Sequence, residues 1–189
     1  MSRTKRSRAR PRAGRAAPRP SGAALAAIPP LRVGCGADAH PLRPGRRLVL
    51  GGVEVPHTRG LAGHSDADVL SHAVCDALLG ALGLPDMGVR FPADDPGHLG
   101  RSSLRFLEDV MRDARRLGFE IVNVDAVVLA EAPRLQPHVE AMRSTLAATL
   151  GVSAGRVSVK AKRVEGLGAI GRQEGIMAQA VVLLAGTDV

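Results

Sequence analysis

The chain has 189 residues and a mass of 19.7 kDa, room for one domain or for one domain with a tail. Apolar residues at 45% and charged residues at 23% exclude disorder along the whole length, and no apolar run approaches the roughly 18–20 residues needed to cross a bilayer. The net charge of +8 is uneven: residues 1–30 hold eight of the 26 basic side chains and no acid, so the remainder carries 18 bases against 18 acids and is neutral.

Residues 1–30 have little to bury and much self-repulsion, which predicts a disordered basic extension and a domain over residues 31–189. The Arg-rich, acid-free start has features of an organelle transit peptide, such as one for plastid import, although its prolines spoil an amphipathic helix. It also suits an arm touching nucleic-acid phosphates, the one route to nucleic acid for a chain without Trp or Tyr and with a neutral domain. The two cysteines, Cys35 and Cys75, make no disulfide scaffold and fit a reducing, cytoplasmic setting.

Leu31–Ala37 reads as a short strand, and residues 47–56 as two β-prone runs around Gly51-Gly52, a hairpin signal. Ser65–Leu82 has helical spacing (Val69, His72, Ala73, Asp76, Ala77, Gly80) and stops at Gly83 and Pro85. Ser103–Leu117 is a second amphipathic helix, Phe119–Leu129 a mostly apolar central strand, and Pro137–Leu150 a third helix. Val157–Ala161 and Gly175–Leu184 read as the last strands. The order predicts an α+β fold with one mixed sheet, helices on one face, plus the hairpin. A sheet covered on one face buries the other most economically by self-association.

Asp38 and His40, two apart where the first strand runs out, point to one side, and Cys35 to the other as a core residue. In the run His64 to His72, Ser65 and Asp68 have capping-box spacing, which places His64 beside helix-start amides suited to phosphate. His72 lies one turn beyond Asp68 on the inward face. It is either a hydrogen-bonded core histidine or, with Asp38 and His40, the third ligand of a zinc ion that keeps an open position. That set beside a phosphate site points to metal-assisted phosphoryl chemistry. Residues 86–96 read as a substrate loop or an ordinary surface loop, and residues 130–137 as a strand-to-helix loop. Lys162, Arg163 and Glu165 suit phosphates and a second divalent cation.

The ordered set Gly36 to His40, Gly51-Gly52, His64 to His72, Asp76 to Gly80, Asp86 to Gly88, Phe91-Pro92, Asn123 to Asp125, Ala132-Pro133, Pro137-His138, Val159 to Ala161, Glu165 to Gly168 and Gly171 to Gly175 resembles the 2-C-methyl-D-erythritol 2,4-cyclodiphosphate synthase family. The resemblance spans about Leu31 to Gly186. It implies a homotrimer of α+β subunits, each with a four-stranded mixed sheet, and active sites between chains. The implied reaction is cyclisation of 4-diphosphocytidyl-2-C-methyl-D-erythritol 2-phosphate with loss of CMP, in the non-mevalonate route to isoprenoid precursors. It also implies one Zn2+ per subunit on Asp38, His40 and His72, with Asp38 and His40 also near substrate, and a Mg2+ or Mn2+ on Glu165.

By the same resemblance His64 and Ser65 hold the diphosphate, with His64 catalytic, and Asp86, Met87 and Gly88 contact the erythritol part. Phe91, Pro92, Ala93, Asp94 and Asp95 border substrate. Ala130, Glu131, Ala132, Pro133, Arg134, Leu135 and Gln136 line the cytidine pocket of the adjoining subunit. Lys162, Arg163, Val164 and Ala169 lie beside the phosphates, and Arg172 and Glu174 near the trimer's central cavity. Lys162 and Arg163 replace two threonines usual in the family, Ala93 an acid, and Leu99 a base. Arg163 thus stands at a catalytic position, where a guanidinium neutralises phosphoryl charge but is much longer than a hydroxyl. The alternative function is a weakened relative that binds metal and nucleotide.

Overall fold

The computed structural model describes residues 30–187, so the readings placed on residues 1–29 lie outside the described residues. The first strand, β1 (Leu31–Pro44), runs seven residues beyond its expected end at Ala37. It places Asp38 and His40 inside the strand, each paired along one edge with the last strand of the chain, and not where a strand gives out. The hairpin β2 (Leu48–Leu50) and β3 (Val53–Val55) turns through Gly51 and Gly52, at φ 57° and 74°, a left-handed pair that glycine adopts without steric cost. A short β4 (Arg59–Leu61) follows. The other strands are β5 (Phe119–Leu129), β6 (Val157–Lys162) and β7 (Gly175–Gly186).

The helices are α1 (Val69–Leu82), α2 (Met87–Arg90), α3 (Ser103–Arg116), α4 (Val139–Leu150) and α5 (Gly168–Gly171). The sheet has five strands, not four, in the order β4-β1-β7-β5-β6. The additional strand is β4, whose three residues include a glycine and show too little alternation to be read as a strand, yet pair with Leu42 to Pro44. Only β5 and β6 are parallel, joined through α4.

Two glycines bring α1 against β1. A Cβ on Gly34 would lie 1.9 Å from the Ala77 carbonyl oxygen, and one on Gly36 2.2 Å from that of Ala73. Helix α1 therefore lies backbone to backbone on the strand, buried over nearly its whole circumference, with α3 on its other side. In α3 the stripe Phe106, Leu107, Val110, Met111 and Ala114 faces the core, while Arg105–Glu108 pairs outward at helical spacing.

The side chains of β1 split by parity. Gly34, Gly36 and Leu42 face the core, whereas Leu31, Val33 and Cys35 are exposed on the open face of the sheet. Cys35 is thus not a core residue: alternation separates it from Asp38, but the side it joins is the uncovered one.

Candidate metal centre and active site

Asp38 and His40 reach the same side of β1, and His72 reaches them from the first turn of α1. One carboxylate oxygen, Asp38 Oδ2, lies 2.9 Å from His40 Nε2 and 2.9 Å from His72 Nδ1, and the two nitrogens are 3.2 Å apart. Three metal-competent atoms thus form a triangle with edges close to the roughly 3.3 Å of a tetrahedral zinc site. Burial alone would raise the Asp38 pKa, but the hydrogen bonds from His40 and His72 hold it well below the usual carboxylate range. The Asp38 hydrogen bond raises His40 above its ordinary value of 6.5, against the opposing effect of burial.

The far nitrogen of His72, Nε2, is 2.8 Å from Ser103 Oγ and 3.3 Å from Ser65 Oγ. Ser103 in turn donates its hydroxyl to Asp66 Oδ1 and its backbone N–H to Asp66 Oδ2 at 3.0 Å. This relay fixes the His72 ring with Nδ1 toward the triad, as outer groups do around bound metals. Among the described residues, Asp38, His40 and His72 form one group able to hold a metal ion, and their donor set of one carboxylate and two imidazoles fits zinc.

The acids of the His64–His72 run do other work than the spacing predicts. Helix α1 begins at Val69, not Ser65, and its N-cap is Asp68, which accepts from Ser71 N–H at 3.0 Å. The same buried carboxylate accepts from Gly51 N–H at 2.8 Å and Gly52 N–H at 2.7 Å, tying the hairpin turn to the helix. Asp66 receives the first amide of α3, where Ser102 provides no side-chain cap. His64 therefore sits five residues before the first residue of α1 and not immediately before it as the spacing predicts. It lines the metal cleft, with Nε2 buried and unpartnered.

That cleft, about 260 Å³, is lined by the triad with His64, Ser65, Met87, Gly88, Phe91 and Ala93. Asp86 caps α2 through Val89 N–H, and Asp76 accepts from Met87 N–H at 2.7 Å, which anchors the start of the substrate loop. Pro92 accepts from the His98 ring, and Asp95 caps the following 3-10 turn. Asp94 is exposed. Residue spacing does not disclose Ser103, Asp76, His98 or Phe106. Ser at the start of an amphipathic helix is the one signal, and it reads as a cap.

A second cavity of about 420 Å³ gathers Ala130, Glu131, Pro133, Arg134, Leu135 and Gln136 with Ala161, Lys162 and Arg163, and shares no lining residue with the metal cleft. Glu131 accepts from Arg163 Nε at 3.0 Å and from Val164 N–H at 3.3 Å, and the guanidinium holds its carboxyl below the ordinary range. Glu165 is exposed on the next loop, outside the group formed by the triad. Ala169 is exposed in α5, and Arg172 pairs at the surface with Glu174 at 2.7 Å.

Fold and site together define an α+β domain with a three-ligand candidate metal centre in an open cleft and, lined by other residues, a separate cavity that carries cationic side chains. The chain belongs to the YgbB family, whose model matches residues 31–185. It is 57% identical over 154 residues to a 2-C-methyl-D-erythritol 2,4-cyclodiphosphate synthase of Cupriavidus necator, covering 82% of this chain and 91% of that one. The bifunctional IspDF of Campylobacter jejuni superposes with a TM-score of 0.81 at 40% identity, over 84% of this chain and 43% of that longer chain. A CDP complex of IspF from Plasmodium falciparum superposes at 0.74 with 30% identity, over 84% and 97% of the two chains.

Proposed function

We propose that this chain cyclises 4-diphosphocytidyl-2-C-methyl-D-erythritol 2-phosphate to 2-C-methyl-D-erythritol 2,4-cyclodiphosphate with release of CMP, in isoprenoid precursor synthesis. The observation that carries this reading is the convergence of Asp38, His40 and His72 in a cleft that His64, Ser65, Met87, Gly88 and Phe91 also line. An oxygen of the 2-phosphate attacks the β-phosphorus, the bond from that phosphorus to the bridging oxygen breaks, and CMP leaves with that oxygen. Because nucleophile and electrophile share one molecule, the protein's task is to orient them and neutralise charge.

Zn2+ held by Asp38, His40 and His72 supplies a Lewis acid for a phosphoryl oxygen. His64 and Ser65 hold the diphosphate, and the Met87–Ala93 loop orients the erythritol. Glu165 holds Mg2+ or Mn2+ with substrate, and Lys162, Arg163 and Arg134 offer positive charge to the phosphates.

The nucleotide end of the substrate fits the cavity of Ala130 to Gln136. Because that cavity and the metal cleft have no lining residue in common, a neighbouring subunit supplies one of the two, in a homotrimer formed through the open sheet face. Val33 is 68% exposed and Val181 41% exposed on that face.

The test is to incubate purified protein with this substrate and Mg2+ and follow phosphorus resonances. Stoichiometric CMP and cyclodiphosphate are expected, and no CMP at high enzyme concentration overturns the reading. A second reading, a weakened relative, is favoured by the Glu131 contact that holds Arg163. It requires a large gain in turnover when Lys162 and Arg163 are both changed to Thr.

A further inference from the structure

The segment from Leu61 to Ser65 joins β4 to the loop that carries His64 and Ser65, and its backbone polar groups are engaged in an unusual way. Arg46, just before the hairpin, donates from Nε to the Leu61 carbonyl at 3.1 Å and from Nη2 to the carbonyls of Gly63 at 3.2 Å and Ser65 at 3.1 Å. The intervening His64 carbonyl accepts from Gly100 N–H at 2.9 Å, and Ala62 N–H donates to Pro41 at 2.9 Å.

The same segment touches the metal centre sterically. A Cβ on Gly63 would lie 2.9 Å from the Ala67 Cβ and 3.2 Å from His40 Cε1. His64 and Ser65 separate two cavities, the metal cleft and a second of about 340 Å³ that Arg46, Asp66 and Gly100 also line. Leu61 and Ser65 are buried at the two ends of the segment, but Ala62, Gly63 and His64 between them are half-buried or exposed, so the path of that stretch depends on directional hydrogen bonds.

We propose that Arg46 is a positioning residue for His64 and Ser65: its guanidinium, spanning three backbone carbonyls, sets the path of the segment that carries them past His40. A planar guanidinium reaches the three carbonyls from two separated nitrogens, whereas an ammonium would have to direct all three donors from a single nitrogen. The assignment rests on the proposed cyclisation for its catalytic consequence, but not for the geometry.

Arg46→Ala and Arg46→Lys separate this role from a general structural one. Both variants should keep zinc stoichiometry and a melting temperature within about 4 °C of the parent. In both, kcat for CMP release should fall roughly 10- to 100-fold while KM changes little, the signature of a misplaced group at the reacting centre. Guanidinium ion, entering the cavity left in Arg46→Ala, should restore part of the lost kcat.

Amide exchange is measured in parallel on the zinc-loaded proteins, where residues 62–66 should exchange at least tenfold faster in Arg46→Ala and the rest of the domain should not. Unchanged kcat, or a loss matched by lost zinc or a global fall in protection, overturns the positioning role. If the parent itself releases no CMP, the proposed cyclisation fails, and the exchange pattern alone decides the role of Arg46. Unaltered exchange at residues 62–66 then refutes it.

Discussion

At Asp38 a single carboxylate oxygen faces two imidazole nitrogens, and what surrounds those rings decides how firmly they are held. Ser103 is the outer contact of His72, so Ser103→Ala should weaken zinc affinity about tenfold without changing the ligand set. Competition with a chromophoric chelator measures this, and unaltered affinity would show that packing alone orients the ring. The pH response follows from His40, whose pKa in the metal-free protein is raised above 6.5 by Asp38. The stability from this pair is fully present below 6.5 and is lost as pH rises through the raised value. Metal binding needs neutral His40 and has the opposite sense, weakening as pH falls through that value. Melting curves of metal-free and zinc-loaded protein from pH 5.5 to 8.5 should therefore diverge with rising pH, and parallel curves would contradict the assignment.

At the scale of elements, the site exists because α1 lies directly on β1. Gly36→Ala puts a methyl group against the Ala73 carbonyl, and neither helix nor strand backbone gives way easily. The expected cost is about 3 kcal/mol. The helix must also shift His72 relative to Asp38 and His40, so zinc affinity should fall with stability. Urea titration and zinc analysis check the two effects separately; a variant as stable as the parent would mean that the contact relaxes freely. Asp68 and Asp66 show how an acid-rich motif divides its labour. One closes the hairpin onto α1 and the other caps α3, while the carboxylate of the candidate metal centre comes from a strand. Helical period and stop signals made α1 and α3 legible in the sequence. The start of α1 was not legible, because Ser65 and Asp68 both have cap chemistry and only the Asp68 bonds to Gly51 and Gly52 select between them.

For the whole molecule, the open face of the sheet is the feature with most consequence. Val33→Asp places a charge among the exposed Leu31, Val181 and their neighbours, on the face through which the proposed trimer forms. Light scattering should show a shift to monomer, with zinc retained and CMP release lost. A trimeric Val33→Asp variant with undiminished activity would place the interface elsewhere. Among the described residues no helix is long and apolar enough to cross a membrane.

The sequence by itself determined the α+β order, the hairpin at Gly51-Gly52 and the three candidate ligands, since these rest on local period, turn chemistry and residue type. The tertiary structure alone decided that Cys35 faces outward, that β4 completes a five-stranded sheet, and that α1 starts at Val69 and not at Ser65. It also disclosed the Asp66–Ser103–His72 relay and the Arg46 clamp, whose partners lie 31 and 37 residues apart or meet through backbone carbonyls. Such contacts leave no periodic trace, because a hydrogen bond to a distant carbonyl depends on where the chain returns in space and not on which residues lie between.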